Sequence, residues 1–97
     1  MVKEVIWTPE AEASFERVIQ YLHENWTDKE IEKFIRATDE VITYISKNPK
    51  MFRKTNNDNV HEALVTPHNF LIYKLYPKRI DLIAFWDTRQ NPKKKRY

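Results

Sequence analysis

Nine residues, Arg89 to Tyr97, close the chain with five cations (Arg89, Lys93, Lys94, Lys95 and Arg96) and no carboxylate. They follow an apolar run, Ile80 to Trp86. Residues 1–88 carry 12 Lys/Arg against 14 Asp/Glu, so the formal net charge of +3 originates in this tail. A strand that runs into concentrated positive charge suits a polyanion. Nucleic acid is the first candidate, because each Lys or Arg can neutralise a phosphate and release a counterion. The same charge also fits a solvated terminus that only keeps the protein in solution.

Other side chains offer proton chemistry or further positive charge. His61 and His68 lie near the two ends of one predicted strand, and imidazole exchanges protons near neutrality. The plainer reading is a pair of hairpin surface histidines. His61 and Glu62 are adjacent, so on a strand they point to opposite faces and cannot share a metal. His23 falls among the polar positions of the first helix and is given no role. Arg53 and Lys54 add cations just before the sheet, or are plain loop charges. There is no cysteine, and no spacing suited to a metal site is present, so no metal or other cofactor is expected. Glycine is absent, which excludes the glycine-rich loops of P-loop and dinucleotide-binding enzymes. It also leaves positive-φ turns to Asn48, Asn56, Asn57, Asp58, Asn59 or Asn69.

The elements that must position these groups follow from periodicity and capping. Lys3 to Trp7 reads as a short strand with β-branched Val5 and Ile6. Thr8-Pro9-Glu10 starts a helix: Thr caps, Pro fits the first helical position and Glu suits the positive dipole end. Ala11, Phe15, Val18, Ile19, Leu22 and Trp26 then form one apolar stripe. Thr27 and Glu30 have the spacing of a capping box. The second helix presents Ile31, Phe34, Ile35, Thr38, Val41, Ile42 and Ile45 on one face, and Asn48-Pro49 stops it. So short a joint predicts an antiparallel helical hairpin. Residues 50–59 read as a polar loop. Three strands follow, Val60 to Thr66, Phe70 to Tyr76 and Arg79 to Trp86, joined by hairpin-length turns and therefore antiparallel. The order β-α-α-β-β-β predicts an α+β domain with a helical hairpin packed on a mainly antiparallel sheet. Trp86, Phe85 and Tyr73 are expected in its core, although aromatics beside basic residues could also stack on bases.

At 97 residues the chain is expected to be a single domain, 1–97, with a basic tail at 89–97. No run is long enough to cross a bilayer, so a cytoplasmic location without a membrane partner is expected. Charge is divided along the chain. Residues 9–48 hold five Lys/Arg and nine Asp/Glu, whereas residues 49–97 hold eleven and four. The first half reads as a solvated support and the second as the half that meets an anion.

In this order, four segments carry a resemblance that covers essentially the whole chain. They are Ile6-Trp7-Thr8-Pro9-Glu10-Ala11, Ile45-Ser-Lys-Asn-Pro49, Leu71-Ile-Tyr-Lys-Leu75 and Phe85-Trp-Asp-Thr-Arg-Gln-Asn-Pro92. Together they resemble the RelE/ParE superfamily of type II toxin–antitoxin toxins. The resemblance implies a small basic toxin, held inactive by a cognate antitoxin that wraps around it. Two activities occur on this fold: metal-independent cleavage of mRNA on the ribosome, and inhibition of DNA gyrase. Fold alone does not choose between them.

Cleavage without a metal needs a base, an acid for the leaving oxygen and cations around the phosphate. The resemblance implies Arg89 as a bidentate phosphate clamp, with an ion pair to Asp87 as the alternative. It implies Tyr97 as acid or base, with disorder at the last residue as the alternative. His61 is the third candidate, standing where many RelE-like toxins carry arginine; Asn69-Phe70 stands where they often carry another. Arg53, Lys54, Lys93, Lys94, Lys95 and Arg96 are the candidate nucleic-acid contacts. On these residues ribosome-dependent mRNA cleavage is slightly favoured over gyrase inhibition. A non-toxic basic nucleic-acid-binding module is the third reading.

Overall fold

A computed structural model describes residues 3–88. In chain order it contains β1 (Glu4–Trp7), α1 (Pro9–Asn25), α2 (Asp28–Lys47), β2 (Arg53–Lys54), β3 (Val60–Thr66), β4 (Asn69–Leu75) and β5 (Arg79–Asp87). The strands form one sheet in the order β1-β5-β4-β3-β2, and both helices cover one of its faces. The α+β architecture and the helical hairpin match the expectation from sequence. β1 runs parallel to β5, with Val5 opposite Ile80 and Trp7 opposite Leu82, while the other pairings are antiparallel. β2 is a correction. A two-residue strand emerges from the predicted polar loop and pairs Arg53 with Glu62 and Lys54 with His61.

α1 begins as its cap residues dictate. The Thr8 hydroxyl accepts the Ala11 amide at 3.1 Å and donates to the Leu82 carbonyl at 2.7 Å, so one side chain caps the helix and ties it to β5. α2 departs from expectation: the Thr27 side chain makes no capping hydrogen bond, so the predicted capping box is not formed. Two stripe residues also differ. Trp26 and Ile35 are exposed, because the stripes of two crossing helices share only part of their length with the sheet. Asn59 has φ 59°, and takes the left-handed conformation that a glycine-free loop must give to Asn or Asp.

The core lies between helices and sheet. Phe34 and Ile45 from α2, Val18 and Leu22 from α1, and Leu71, Tyr73 and Leu82 from the sheet are all essentially fully buried. At one end, Phe15 stacks on Phe34 at 5.2 Å between ring centroids and meets Phe85 edge-on at 5.1 Å, while Trp7 stacks on Phe85 at 5.4 Å. β5 carries a bulge there. Tyr73 pairs with Leu82 and Ile72 with Ala84, leaving Ile83 as an extra residue. The bulge lets Leu82 and Phe85, three residues apart, both face the helices.

Candidate functional site

Among the described residues, both helices lie on one face of the sheet, and the site is built on the other. Side chains alternate along a strand. Because Tyr73, Leu71 and Phe85 enter the helix-side core, Ile72, Phe70 and Trp86 point the other way. Cross-strand register then sets out rows on the open face. One row is Leu64, Phe70 and Trp86 from β3, β4 and β5. The next is Glu62, Ile72 and Ala84, extended at the edge by Arg53. The third holds Val60, Lys74 and Asp81. Leu64 is 53% exposed and Phe70 and Trp86 are half-buried, whereas Ile72 and Ala84 are buried. An apolar row thus crosses the sheet beside an acid–base pair. Trp86 lies on this face and not in the helix-side core, which corrects the sequence expectation.

Arg53 and Glu62 make that pair. Their closest N···O distance is 3.4 Å, with the Glu62 side chain only 6% exposed and that of Arg53 81% exposed. A buried carboxylate is costly unless a cation or hydrogen bonds compensate it. Glu62 therefore draws the Arg53 guanidinium onto the open face. Lys54, one residue on, occupies a position on the helix-bearing side and is exposed. The two loop cations do not act on one surface.

His61 is buried on the opposite face from Glu62, as alternation requires. Its ring stacks on Tyr73 at 5.4 Å with a 13° interplanar angle, and its Nδ1 lies 3.1 Å from the Phe52 carbonyl. Tyr73 in turn donates its hydroxyl to the Pro49 carbonyl at 2.6 Å, and burial pushes its phenol well above the ordinary tyrosine range. The expectation of a surface hairpin histidine is thus corrected for His61. His68 does sit exposed, in the two-residue turn between β3 and β4. Arg89, Tyr97, Lys93, Lys94, Lys95 and Arg96 lie outside the described residues. Among the described residues, no three of His, Asp and Glu are placed to hold a metal ion.

Sequence reasoning missed Glu62 and the Leu64–Phe70–Trp86 row. The alternation in Val60 to Thr66, polar at 62 and apolar at 64, marks both for one face. The partners across the strands become visible only with the register.

The fold is that of known type II toxins. The chain superposes on the chromosomal ParDE toxin–antitoxin system of P. aeruginosa with a TM-score of 0.74 at 12% identity, covering 89% of this chain and 96% of that one. The E. coli DinJ–YafQ complex gives 0.64 at 13% identity, covering 94% and 98%. The YoeB dimer of Staphylococcus aureus gives 0.63 at 14%, covering 89% and 97%. No curated protein matches the sequence. The family model described as ParE toxin of the type II toxin–antitoxin system parDE matches residues 5–92. The chain belongs to that family and is a type II toxin of the ParE/RelE kind.

Proposed function

We propose that this toxin acts as a ParE-like inhibitor of DNA gyrase and is neutralised by a cognate antitoxin. The carrying observation is the composition of the open face, where an apolar row of Leu64, Phe70 and Trp86 runs beside a cation already engaged by a buried carboxylate. Such a surface suits a protein partner, since half-exposed aromatic and aliphatic anchors dominate protein interfaces. RNA cleavage drew part of its support from His61 as a proton carrier. That ring is packed against Tyr73 on the other side of the sheet. The ParE family match supports the same choice.

A second reading, metal-independent mRNA cleavage on the ribosome, is favoured by the cationic tail. It assigns Arg89 to the phosphate and Tyr97 to proton transfer. In either reading the antitoxin brings an acidic or amphipathic segment, steered by the net charge of residues 49–97. The ParDE and DinJ–YafQ neighbours, which are toxin–antitoxin systems, support such a partner.

The purified protein is to be tested in a gyrase supercoiling assay and by primer extension on ribosome-bound mRNA. Blocked supercoiling with intact mRNA is the expected result. Cut mRNA with normal supercoiling would transfer the function to the nuclease reading.

A further inference from the structure

At the β4–β5 turn, three cationic side chains converge on one residue. The Arg79 guanidinium lies 4.2 Å from the centroid of the Tyr76 ring, and the Lys74 ammonium lies 5.4 Å from it. The Lys3 ammonium, at the entry to β1, donates to the Tyr76 carbonyl at 2.9 Å. Lys78 is exposed in the turn itself. Two carboxylates share this corner. Asp81 holds the Arg79 Nε at 3.0 Å, and Glu4 stands opposite Arg79 in the sheet register.

The four cations outnumber these two carboxylates, so the corner keeps an excess of positive charge that a further anion would offset. Arg79 is also preorganised. Asp81 occupies its Nε edge and Tyr76 supports its plane, which fixes the fork that can grip two phosphate oxygens. Tyr76 is itself half-buried beneath two cations, so the corner suits phosphates more than stacked bases.

We propose that Lys3, Lys74, Lys78 and Arg79 form a phosphodiester-backbone contact at the β4–β5 corner, apart from the apolar row of the open face. It gives the toxin a second point of attachment to a nucleic-acid duplex. It stands independently of the gyrase reading, since backbone contacts read charge and not sequence.

The test uses the full chain and fluorescently labelled duplexes, one of DNA and one of RNA with the same sequence. Anisotropy is followed over a salt series. Lys74→Gln/Arg79→Gln removes two phosphate contacts. It should flatten the slope of log K against log salt by about 2 units and weaken binding roughly tenfold at moderate salt. Lys3→Gln/Lys78→Gln should do the same to a similar extent, which guards against a folding defect peculiar to one variant. Lys29→Gln/Arg36→Gln on α2 removes equal charge elsewhere and should leave the slope unchanged. An unchanged slope in both corner variants overturns the proposal, and so does an equal loss in the α2 control. Loss on the DNA arm alone identifies DNA as the backbone contacted, and loss on the RNA arm alone identifies RNA.

Discussion

The Ser14 hydroxyl accepts the Phe85 amide at 2.8 Å while donating to the Glu10 carbonyl at 2.7 Å. β1 pairs with β5 only through Leu82, so beyond that residue the β5 edge lies against α1 and needs another acceptor. Ser14 supplies it from inside the helix. Ser14→Ala leaves a buried amide without a partner and should cost about 1 to 3 kcal/mol. A urea titration measures this. Loss below about 0.5 kcal/mol would mean that water replaces the hydroxyl.

The four-ring cluster predicts a larger effect. Phe34 is 1% exposed and packs on Phe15 and Phe85. Phe34→Ala should cost about 3 to 5 kcal/mol, the range for a buried Phe truncation. Thermal and denaturant unfolding should agree on that figure if the domain is two-state.

Helices, hairpin strands and most core residues were legible because each is written in local periodicity. Phe15, Leu22, Phe34, Val41 and Ile45 repeat at helical spacing, and β3 has the boundaries its sequence implies. Trp86 shows where such reading ends. Strict alternation from Ile80 and Leu82 carries Trp86 to the core face. The bulge at Ile83 reverses the phase, so Phe85 goes inward and Trp86 outward. Nothing local to Ile83 announces an extra residue; its position follows from the pairing with Ile72 and Tyr73. β2 was hidden for a similar reason. Arg53–Lys54 is polar throughout, and its strand character comes from β3, including the Glu62 carboxylate that receives Arg53. His61 was misplaced because its partner Tyr73 lies on the next strand.

Tyr73 predicts an alkaline sensitivity. Burial raises its folded-state pKa above the ordinary tyrosine value of about 10, because the phenolate is poorly solvated there. The neutral phenol is therefore the form that folding favours. Its contribution is complete below the unfolded-state pKa and is lost as pH rises beyond it. Stability should hold up to about pH 9 and fall above about pH 10. Tyr73→Phe removes this slope and also the hydrogen bond to Pro49, at a cost near neutrality of about 1 kcal/mol. Urea midpoints across the alkaline range for both proteins give the comparison. Equal slopes would show that other groups dominate.

His61 separates packing from proton transfer. His61→Phe keeps a ring stacked on Tyr73 and loses the contact with the Phe52 carbonyl. It should cost about 1 kcal/mol in stability and leave growth inhibition unchanged. A fall of about 100-fold or more in activity, with the fold intact, is the size expected from losing a proton-transfer group. That outcome would assign His61 to chemistry.

Leu64 tests the open face. It is 53% exposed, so Leu64→Glu removes little buried surface and should change stability by less than about 0.5 kcal/mol. Its place is different once a partner binds. The new carboxylate would stand in the row with Phe70 and Trp86, where a partner must desolvate it while the neighbouring Arg53 is already engaged by Glu62. Buried unpaired charge is among the costliest changes an interface can meet, so affinity for gyrase or for the antitoxin should fall at least about tenfold. Two measurements decide this: growth inhibition on induction of the variant alone, and titration of the purified variant with each partner. Full toxicity with undiminished affinity for both would show that neither partner uses this face, and the proposal of the open sheet as the functional surface would fall with it.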